Sequence, residues 1–304
     1  MNCVNTKVSI IIPTYNRSEQ LCRCINSLLL STYKNIEIIV VNNNSSDNTK
    51  QAVNDLITKH PNVILVNLEE NLFATGGRNE GIKHASGDYL LFVDSDNVVD
   101  SFMIEKLVEE MNTNQNIGLI GPIMFYYKSV DTIYFCGNTI NYLTSKTTYY
   151  LKNKNVKNVK VPKKTKTDHI PNVFMTRKSI INETGVFDDN IRIMYDESDF
   201  AMRIKKLGYD VVVLTSAITY HDVIVPGEKG VNKLRQLGIE TPERAYHFAK
   251  NRNIFVKRYF PWYGKITYNL IFKRLFAAYY MFECVSNNRI DIAKAYFKGM
   301  KYEN

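Results

Sequence analysis

The chain has 304 residues, of which 45% are hydrophobic and 23% are charged. These fractions are typical of a globular protein and exclude a disordered, collagen-like or disulfide-rich chain. The formal net charge of +9 predicts an anionic partner, such as nucleotide phosphates, a membrane surface or nucleic acid, without selecting among them. Five scattered cysteines predict free thiols in a reducing compartment.

The first half alternates short apolar runs with amphipathic stretches. The predicted strands are 8–12, 36–41, 63–68 and 89–93, and the predicted helices are 18–30, 49–59, 75–85 and 103–111. Repeated βαβ units predict a parallel sheet with helices on both faces. Since ligands bind beyond the carboxyl ends of such strands, the polar segments 13–17, 42–47 and 94–96 should converge on one edge.

The second half has a different pattern. Residues 117–168 predict strands and long loops, and they are followed by helices at 179–187 and 199–207 and a strand at 211–214. Beyond these elements lie a basic, aromatic helix at 244–260 and an apolar stretch at 268–285. Since no run of about 18 apolar residues occurs, we predict no membrane span.

Two carboxylates, Asp94 and Asp96, follow the hydrophobic strand 89–93. Hard oxygen ligands of this kind suit Mg²⁺ or Mn²⁺. His221 lies beyond the strand 211–214 and is a candidate third ligand. An ordinary acidic turn and a structural histidine are the alternative explanations of these features.

A second acidic cluster contains Asp196, Glu197 and Asp199 at the start of a predicted helix. Acids favour helix N-termini because of the helix dipole. The functional hypothesis is a general base, since a carboxylate crowded by other acids holds a proton more tightly. The spacing of Asp199 and Arg203 predicts an ion pair along the helix, which leaves Asp196 and Glu197 facing the turn.

Adjacent glycines, Gly76 and Gly77, precede Arg78 near a predicted helix start. Glycines at such a position let backbone N–H groups approach a phosphate, and Arg78 can add positive charge. The spacing fits neither a Rossmann fingerprint nor a P-loop. Close helix packing is the alternative explanation of the glycines.

Two segments are strongly basic. Residues 152–166 contain seven lysines, which predicts either a solvated loop or contact with anionic lipid or a phosphate-bearing acceptor. Around residue 260, aromatic side chains alternate with Lys257, Arg258 and Lys265, as in helices that lie on an anionic bilayer. Packing of this tail onto the rest of the protein is the alternative. We expect no nucleic-acid partner, because no recognised binding module accompanies the charge.

Taken in this order, the motifs resemble the nucleotide-sugar glycosyltransferases of family 2. The resemblance covers roughly residues 7–260 and is carried by 8–17, 40–47, 71–81, 94–96, 196–199 and His221. It implies the α/β fold called GT-A, with a mainly parallel central sheet flanked by helices and a C-terminal helical extension. Residues 71–81 and the pair Arg252-Asn253 are most similar to the rhamnosyltransferase-type branch.

The resemblance also implies roles for individual residues. The metal, Mn²⁺ or Mg²⁺, would be held by Asp94, Asp96 and His221. The family's acid pair, Glu then Asp, corresponds here to Asp196 then Glu197, and the second position favours Glu197 as the base, with Asp196 second. Asp199 completes the candidate catalytic cluster. The residues expected at the nucleotide sugar are Pro13, Thr14, Tyr15, Arg17, Asn43, Asp47, Gly76, Gly77, Arg78, Asp94 and Ser95.

The implied activity is inverting, metal-dependent transfer of a hexosyl or deoxyhexosyl group from a nucleoside-diphosphate sugar. The expected acceptor is a hydroxyl of a glycan or lipid-linked saccharide, in the assembly of cell-surface polysaccharide, glycolipid or glycoprotein glycan. A catalytically inactive sugar-nucleotide-binding protein is the alternative. No cleavable signal peptide is recognisable, so we expect a cytoplasmic protein, with the cytoplasmic face of the membrane as a candidate location.

The predicted organisation is a catalytic domain at 1–240 and a basic, aromatic helical extension at 241–304. Within the catalytic domain, residues up to about 115 would form the nucleotide-binding half. Residues 116–240 would form the acceptor-side half.

Overall fold

The computed structural model describes residues 6–225 and 232–302. Its strands are β1 (Val8–Thr14), β2 (Ile36–Asn42), β3 (Val63–Asn67), β4 (Tyr89–Val93), β5 (Asn97–Val99), β6 (Ile117–Tyr126), β7 (Ser129–Phe135), β8 (Asn138–Asn141), β9 (Lys146–Tyr149), β10 (Lys164–Lys166), β11 (Val173–Arg177) and β12 (Asp210–His221). Its α-helices are α1 (Ser18–Leu29), α2 (Thr49–Ile57), α3 (Phe73–His84), α4 (Met103–Thr113), α5 (Lys178–Thr184), α6 (Asp196–Lys206), α7 (Lys233–Gln236), α8 (Pro242–Tyr259), α9 (Trp262–Thr267), α10 (Lys273–Ser286) and α11 (Ile290–Met300). A π-helical turn, Tyr268–Phe272, joins α9 to α10.

The central sheet has the strand order β10-β12-β6-β11-β4-β1-β2-β3, with β5 and β7 paired to β12 and β6. β1 is parallel to both β2 and β4, and β2 is parallel to β3, as the alternating pattern predicts. β11, however, is antiparallel to both β4 and β6. The sheet is therefore mixed rather than mainly parallel, because β11 enters the sheet after a long excursion and not through a βαβ crossover.

Strand β12 is longer than the predicted 211–214. Its register shifts between Leu214 and Ile218, where a bulge interrupts the ladder with β6. Such irregularities bend a strand without ending it. Beyond the shift, the strand continues to His221 and pairs with β5, so that His221 lies opposite Asn97. The bulge thus brings His221 beside the segment that contains Asp94 and Asp96.

One large apolar core lies on both sides of the sheet. β1, β2 and β4 are buried along their whole lengths, which explains their continuous apolar sequences. The four cysteines among the described residues are free, as predicted, and the fifth, Cys3, lies outside them.

The C-terminal helices take part in two small apolar clusters. Phe255, Phe260 and Tyr268 form a small apolar cluster with Met202 of α6. A second cluster joins α7, α8, α10 and α11 around Tyr280 and Tyr296. Searched over the described ranges, the helices include none that is long and apolar enough to cross a bilayer.

The buried carboxylate of Glu37 gives a test of this fold. It accepts hydrogen bonds from Lys7 Nζ at 2.7 Å, Ser9 Oγ at 2.5 Å and the Ser86 backbone N–H at 2.7 Å. Burial by itself would raise the pKa of Glu37, but these donors lower it to about 2. Because the folded pKa lies below the unfolded value of 4.5, the stabilisation is present above pH 4.5 and is lost as the pH falls towards 2.

We expect Glu37→Gln to lower the free energy of unfolding by about 2 kcal/mol at pH 7, with the difference shrinking as the pH falls towards 3. Urea denaturation at several pH values measures both quantities. Glu19→Gln, at an exposed site on α1, is the control and should change stability by less than about 0.5 kcal/mol. An equal deficit of Glu37→Gln at pH 7 and pH 3 would contradict the assignment.

Candidate active site

A cleft of about 1530 Å³ opens at the carboxyl ends of β1, β2 and β4. The three polar segments that follow these strands meet there, as the strand pattern predicts. Among the described residues, those predicted for the site that line this cleft are Pro13, Thr14, Tyr15, Arg17, Asn43, Asp94, Ser95, Asp96 and His221. The remaining predicted residues, Asp47, Gly76, Gly77, Arg78, Asp196, Glu197 and Asp199, do not line it.

The ends of β1 and β2 are held together where the cleft begins. The Asn43 backbone N–H donates to the Thr14 carbonyl oxygen at 2.9 Å, and Asn43 Oδ1 accepts from the Leu72 N–H at 3.2 Å. Asp47 lies on the far side of this corner, where its carboxylate accepts from the Ser18 and Thr49 N–H groups at 3.1 and 3.0 Å. Asp47 therefore organises the starts of α1 and α2.

Arg78 lies at the centre of the acidic residues. Its side chain is fully buried, and its Nη2 is 2.8 Å from Asp94 Oδ1 and 3.2 Å from Glu197 Oε1. Its Nη1 is 2.5 Å from Asp196 Oδ2, a residue 118 positions away in the chain. The guanidinium was predicted to approach a diphosphate, but here it binds three carboxylates and does not reach the cleft wall.

Close packing places Arg78 in this position. Gly76 and Gly77 lie inside α3, which begins at Phe73, so they do not form a phosphate-binding helix start. A Cβ at Gly77 would lie 2.9 Å from Pro13 Cβ, and one at Gly81 would lie 2.3 Å from Ile11 Cγ2. The approach of α3 to β1 thus explains Gly77 and Gly81, which is the packing alternative considered above, whereas a Cβ at Gly76 would meet Leu72 Cβ at 2.4 Å.

Asp196 and Glu197 are neighbours with opposite pKa shifts. Burial raises the pKa of Asp196 well above its usual value, and the negative charge of Glu197 adds to this. Burial would also raise the pKa of Glu197, but the Arg78 guanidinium lowers it. The Glu197 side chain is 18% exposed and that of Asp196 only 3%. Glu197 is therefore the more accessible carboxylate and the one held ionised.

Asp199 points away from this pair. Its carboxylate accepts from Arg203 Nε at 3.0 Å, which confirms the ion pair predicted from their spacing. It also accepts from Arg258 Nη1 at 3.0 Å and Tyr259 Oη at 2.6 Å. Asp199 thus attaches α8 to α6 and is placed for a structural role.

The turn before Asp196 has a strained backbone that the sequence pattern did not indicate. Met194 and Tyr195 have φ angles of 61° and 67°, in the left-handed region that non-glycine residues rarely adopt. Asn251 Nδ2 of α8 donates to the carbonyl oxygens of Ile193 and Met194 at 2.8 and 3.0 Å. Arg252 Nε donates to Tyr195 Oη at 2.9 Å. The C-terminal helix therefore holds the turn that positions both candidate bases.

Asp96 faces two cationic or titratable partners, Arg17 and His221. Its carboxylate accepts a hydrogen bond from Arg17, and its Oδ1 is 3.4 Å from His221 Nε2. Burial would raise the pKa of Asp96, but His221 and Arg17 lower it. Asn172, which was not predicted as a site residue, donates from Nδ2 to Asp94 Oδ2 at 3.2 Å, and the same atom lies 3.3 Å from His221 Nε2. Asn172 has a φ of 63°, and no local motif marks it.

The predicted metal ligands, Asp94, Asp96 and His221, all line the cleft. Across residues 6–225 and 232–302, no three His, Cys, Asp or Glu side chains are arranged to hold a metal ion. The donor chemistry nevertheless fits, because two carboxylates and an imidazole suit Mn²⁺. His221 Nδ1 is moreover buried without a hydrogen-bond partner in the described part of the chain. Binding would require Asp94 and Asp96 to exchange arginine contacts for the cation.

Solved structures identify the fold. GalNAc-T7 with UDP, GalNAc and Mn²⁺ has a TM-score of 0.62 at 14% identity, covering 93% of this chain and 58% of that one. TarS of S. aureus has a TM-score of 0.58 at 17% sequence identity, covering 95% of this chain and 80% of that one. The mannosyltransferase PcManGT of Pyrobaculum calidifontis, with GDP-Man and Mn²⁺, has a TM-score of 0.58 at 14% sequence identity, covering 98% of this chain and 88% of that one. The chain therefore has the GT-A fold, as predicted.

Sequence comparison identifies the family. The family model "Glycosyl transferase family 2" matches residues 9–185, so the chain belongs to this family. Glycosyltransferase GlyG of Streptococcus pneumoniae is 33% identical over 128 residues, or 42% of each chain. Poly-beta-1,6-N-acetyl-D-glucosamine synthase of Staphylococcus epidermidis is 34% identical over 113 residues, which are 37% of this chain and 27% of that one. The match thus spans less than half the length of these relatives.

Arg78→Met tests the buried network. Removing the guanidinium leaves buried carboxylates without a cation, so we expect the free energy of unfolding to fall by about 3–5 kcal/mol. Lys83→Met, at an exposed position of the same helix, should change it by less than about 0.5 kcal/mol. Urea denaturation compares the two. If Arg78→Met does not fold, Arg78→Lys should give an intermediate loss, and equal stability of all the variants would refute the network.

Proposed function

We propose that the protein is an inverting glycosyltransferase that moves a sugar from a nucleoside-diphosphate donor to an acceptor hydroxyl. The observation that carries the proposal is the Arg78 network, which brings Asp94 at the cleft together with Asp196 and Glu197. Membership of glycosyltransferase family 2 and the GT-A fold support the same activity. The relative named as a poly-N-acetylglucosamine synthase favours a role in polysaccharide assembly.

The donor would lie against the ends of β1 and β2. Pro13, Thr14 and Tyr15 would line the nucleotide pocket, and Asn43 would lie near the base and ribose. Asp94, Asp96 and His221 would hold Mn²⁺ or Mg²⁺, a choice supported by the Mn²⁺ in two of the solved relatives. Such a cation, when bound, offsets the negative charge that develops on the departing diphosphate.

Glu197 is the proposed general base. It would take the proton from the acceptor hydroxyl while that oxygen attacks the anomeric carbon from the face opposite the diphosphate. A base must be ionised and reachable, and the Arg78 guanidinium and the partial exposure of Glu197 meet these two needs. Asp196 is the second candidate. The chain itself supplies alignment of the two substrates rather than a nucleophile.

The sequence resemblance supports a narrower proposal for the class of donor sugar. Residues 71–81 and Arg252-Asn253 favour a rhamnosyltransferase-like enzyme and therefore a hexosyl or deoxyhexosyl donor. Glycan or lipid-linked saccharide is the proposed acceptor class. A catalytically inactive binding protein is the alternative, and it predicts nucleotide binding without turnover.

We also propose peripheral contact with the cytoplasmic face of an anionic membrane. Trp262 and Phe282 are 74% and 70% exposed, although they are large apolar side chains. Leu275, Phe282 and Val285 share one stripe of α10, since their spacing is seven and then three residues. The exposed Arg274 in the same helix adds charge of the sign that anionic lipid attracts.

Release of nucleoside diphosphate from a panel of sugar donors, with and without Mn²⁺, tests the activity. We expect Asp96→Ala and Glu197→Gln each to lower turnover by about 10²–10⁴, because one loses a metal ligand and the other the base. Glu183→Gln, in α5, is the control and should retain activity. Near-normal turnover of Glu197→Gln with an inactive Asp196→Asn would transfer the base to Asp196. Nucleotide binding with no release from any donor would favour the inactive alternative.

Co-sedimentation with vesicles of phosphatidylcholine and phosphatidylglycerol tests the membrane contact. The double variant Trp262→Ala/Phe282→Ala should sediment less than the unaltered chain, because it loses exposed apolar area. Leu30→Ala/Phe102→Ala removes two exposed apolar side chains elsewhere and should sediment normally. Equal sedimentation of both double variants and the unaltered chain would rule out this face.

A further inference from the structure

The arginines near the cleft are largely committed to carboxylates of the protein itself. Arg78 is buried among three acids, and Arg17 binds Asp96. The remaining pairs are Arg23 with Glu19 and Asp222, and Arg244 with Glu240. Of the arginines that line the cleft, Arg235 is the one without a carboxylate partner among the described residues, and it is exposed to solvent. A phosphoryl group that enters the cleft therefore meets few arginines that are not already neutralised.

Lys152 differs from these paired arginines in its surroundings. It lines the cleft, and its Nζ lies 4.5 Å from the ring centroid of Tyr149 and 5.2 Å from that of Tyr134. Over the described residues it has no carboxylate partner. Burial lowers the pKa of Lys152. A half-desolvated ammonium between two aromatic rings is suited to bind an anion.

The backbone around Lys152 is well anchored. The Asn153 N–H donates to the Ile133 carbonyl oxygen at 2.8 Å, and the Ile133 N–H donates to the Lys154 carbonyl oxygen at 2.9 Å. Tyr126 Oη donates to Asn153 Oδ1 at 2.7 Å. These bonds attach the segment to β6 and β7, so that Lys152 is held on the cleft wall and does not belong to a free loop.

Lys152 is also close to the candidate metal ligands. The Tyr134 ring, which contacts Lys152, lies 4.7 Å from the ring of His221. His221 Nε2 is in turn 3.4 Å from Asp96 Oδ1. One aromatic ring thus separates the ammonium from the histidine that faces Asp96.

The rest of the lysine-rich segment has other partners or faces solvent. Lys157, Lys164 and Lys166 pair with Asp131, Glu110 and Asp210. Lys154 is exposed and does not line the cleft. Lys152 is therefore the one lysine of this segment that lines the cleft, although the lysine-rich composition does not distinguish it from the others.

We propose that Lys152 binds a phosphoryl group in the cleft. The proposal rests on the proposed function, since a nucleoside-diphosphate donor and a phosphate-bearing acceptor are the two sources of such a group there. Lysine is a common phosphate ligand because its ammonium is a compact charge with three donors.

Calorimetric titration with UDP and GDP in the presence of Mn²⁺, and with uridine and guanosine, tests the donor source. Lys152→Met should weaken binding of whichever diphosphate the unaltered chain binds by about tenfold, which corresponds to about 1.4 kcal/mol. The nucleosides, which have no phosphate, should bind equally to both proteins. Lys154→Met is the matched control and should bind like the unaltered chain, and Lys152→Arg, which keeps the charge, should restore most of the affinity.

Thermal shift with sn-glycerol 3-phosphate tests the acceptor source. Unchanged diphosphate affinity in Lys152→Met, together with loss of stabilisation by glycerol phosphate, would assign Lys152 to an acceptor phosphate. Unchanged responses to both probes in a folded Lys152→Met would overturn the proposal. If the unaltered chain binds neither UDP nor GDP, uridine and guanosine diphosphate donors are excluded, and the glycerol phosphate response alone decides on Lys152. If Lys152→Met does not fold, Lys152→Gln replaces it in both measurements.

Discussion

The buried guanidinium of Arg78 neutralises carboxylates that arrive from two distant parts of the chain. Asp94 follows β4, whereas Asp196 and Glu197 begin α6, and buried acids of this kind repel one another unless a cation lies between them. The rings of Phe174 and Phe187, each with its centroid 5.4 Å from the guanidinium carbon, shield the group from water. The electrostatics of the site therefore depend on the packing of α3.

This arrangement makes two adjacent acids chemically different. Arg78 contacts both, but Asp196 is the more deeply buried, so its pKa rises while that of Glu197 falls. The difference also requires the turn before α6 to stay in its left-handed conformation, which costs of order 1–3 kcal/mol for each residue. Asn251 and Arg252 stabilise that turn from α8. The C-terminal helices thus belong to the site, although composition alone suggests an appendage that begins near residue 241.

Local features of the sequence predicted much of this architecture. Apolar runs predicted the strands, and the polar clusters that follow them predicted the ligand-binding edge of the sheet. Both features can be recognised from a few neighbouring residues. Contacts between distant segments could not be predicted in this way. The Gly76-Gly77-Arg78 pattern is equally compatible with phosphate binding and with helix packing, and only the position of Asp196 decides between them. The bulge that extends β12 beyond the predicted strand to His221 has no local signature in the sequence.

The pairing of Arg78 with three carboxylates affects how charge is balanced in the cleft. The carboxylates of Asp94 and Asp96 would offset much of the charge of any divalent cation they hold, so that little positive charge would remain for a diphosphate. Lys152, held on the cleft wall without a carboxylate partner among the described residues, would add positive charge there. Charge compensation between residues that are distant in the sequence therefore underlies both the Arg78 network and the role proposed for Lys152.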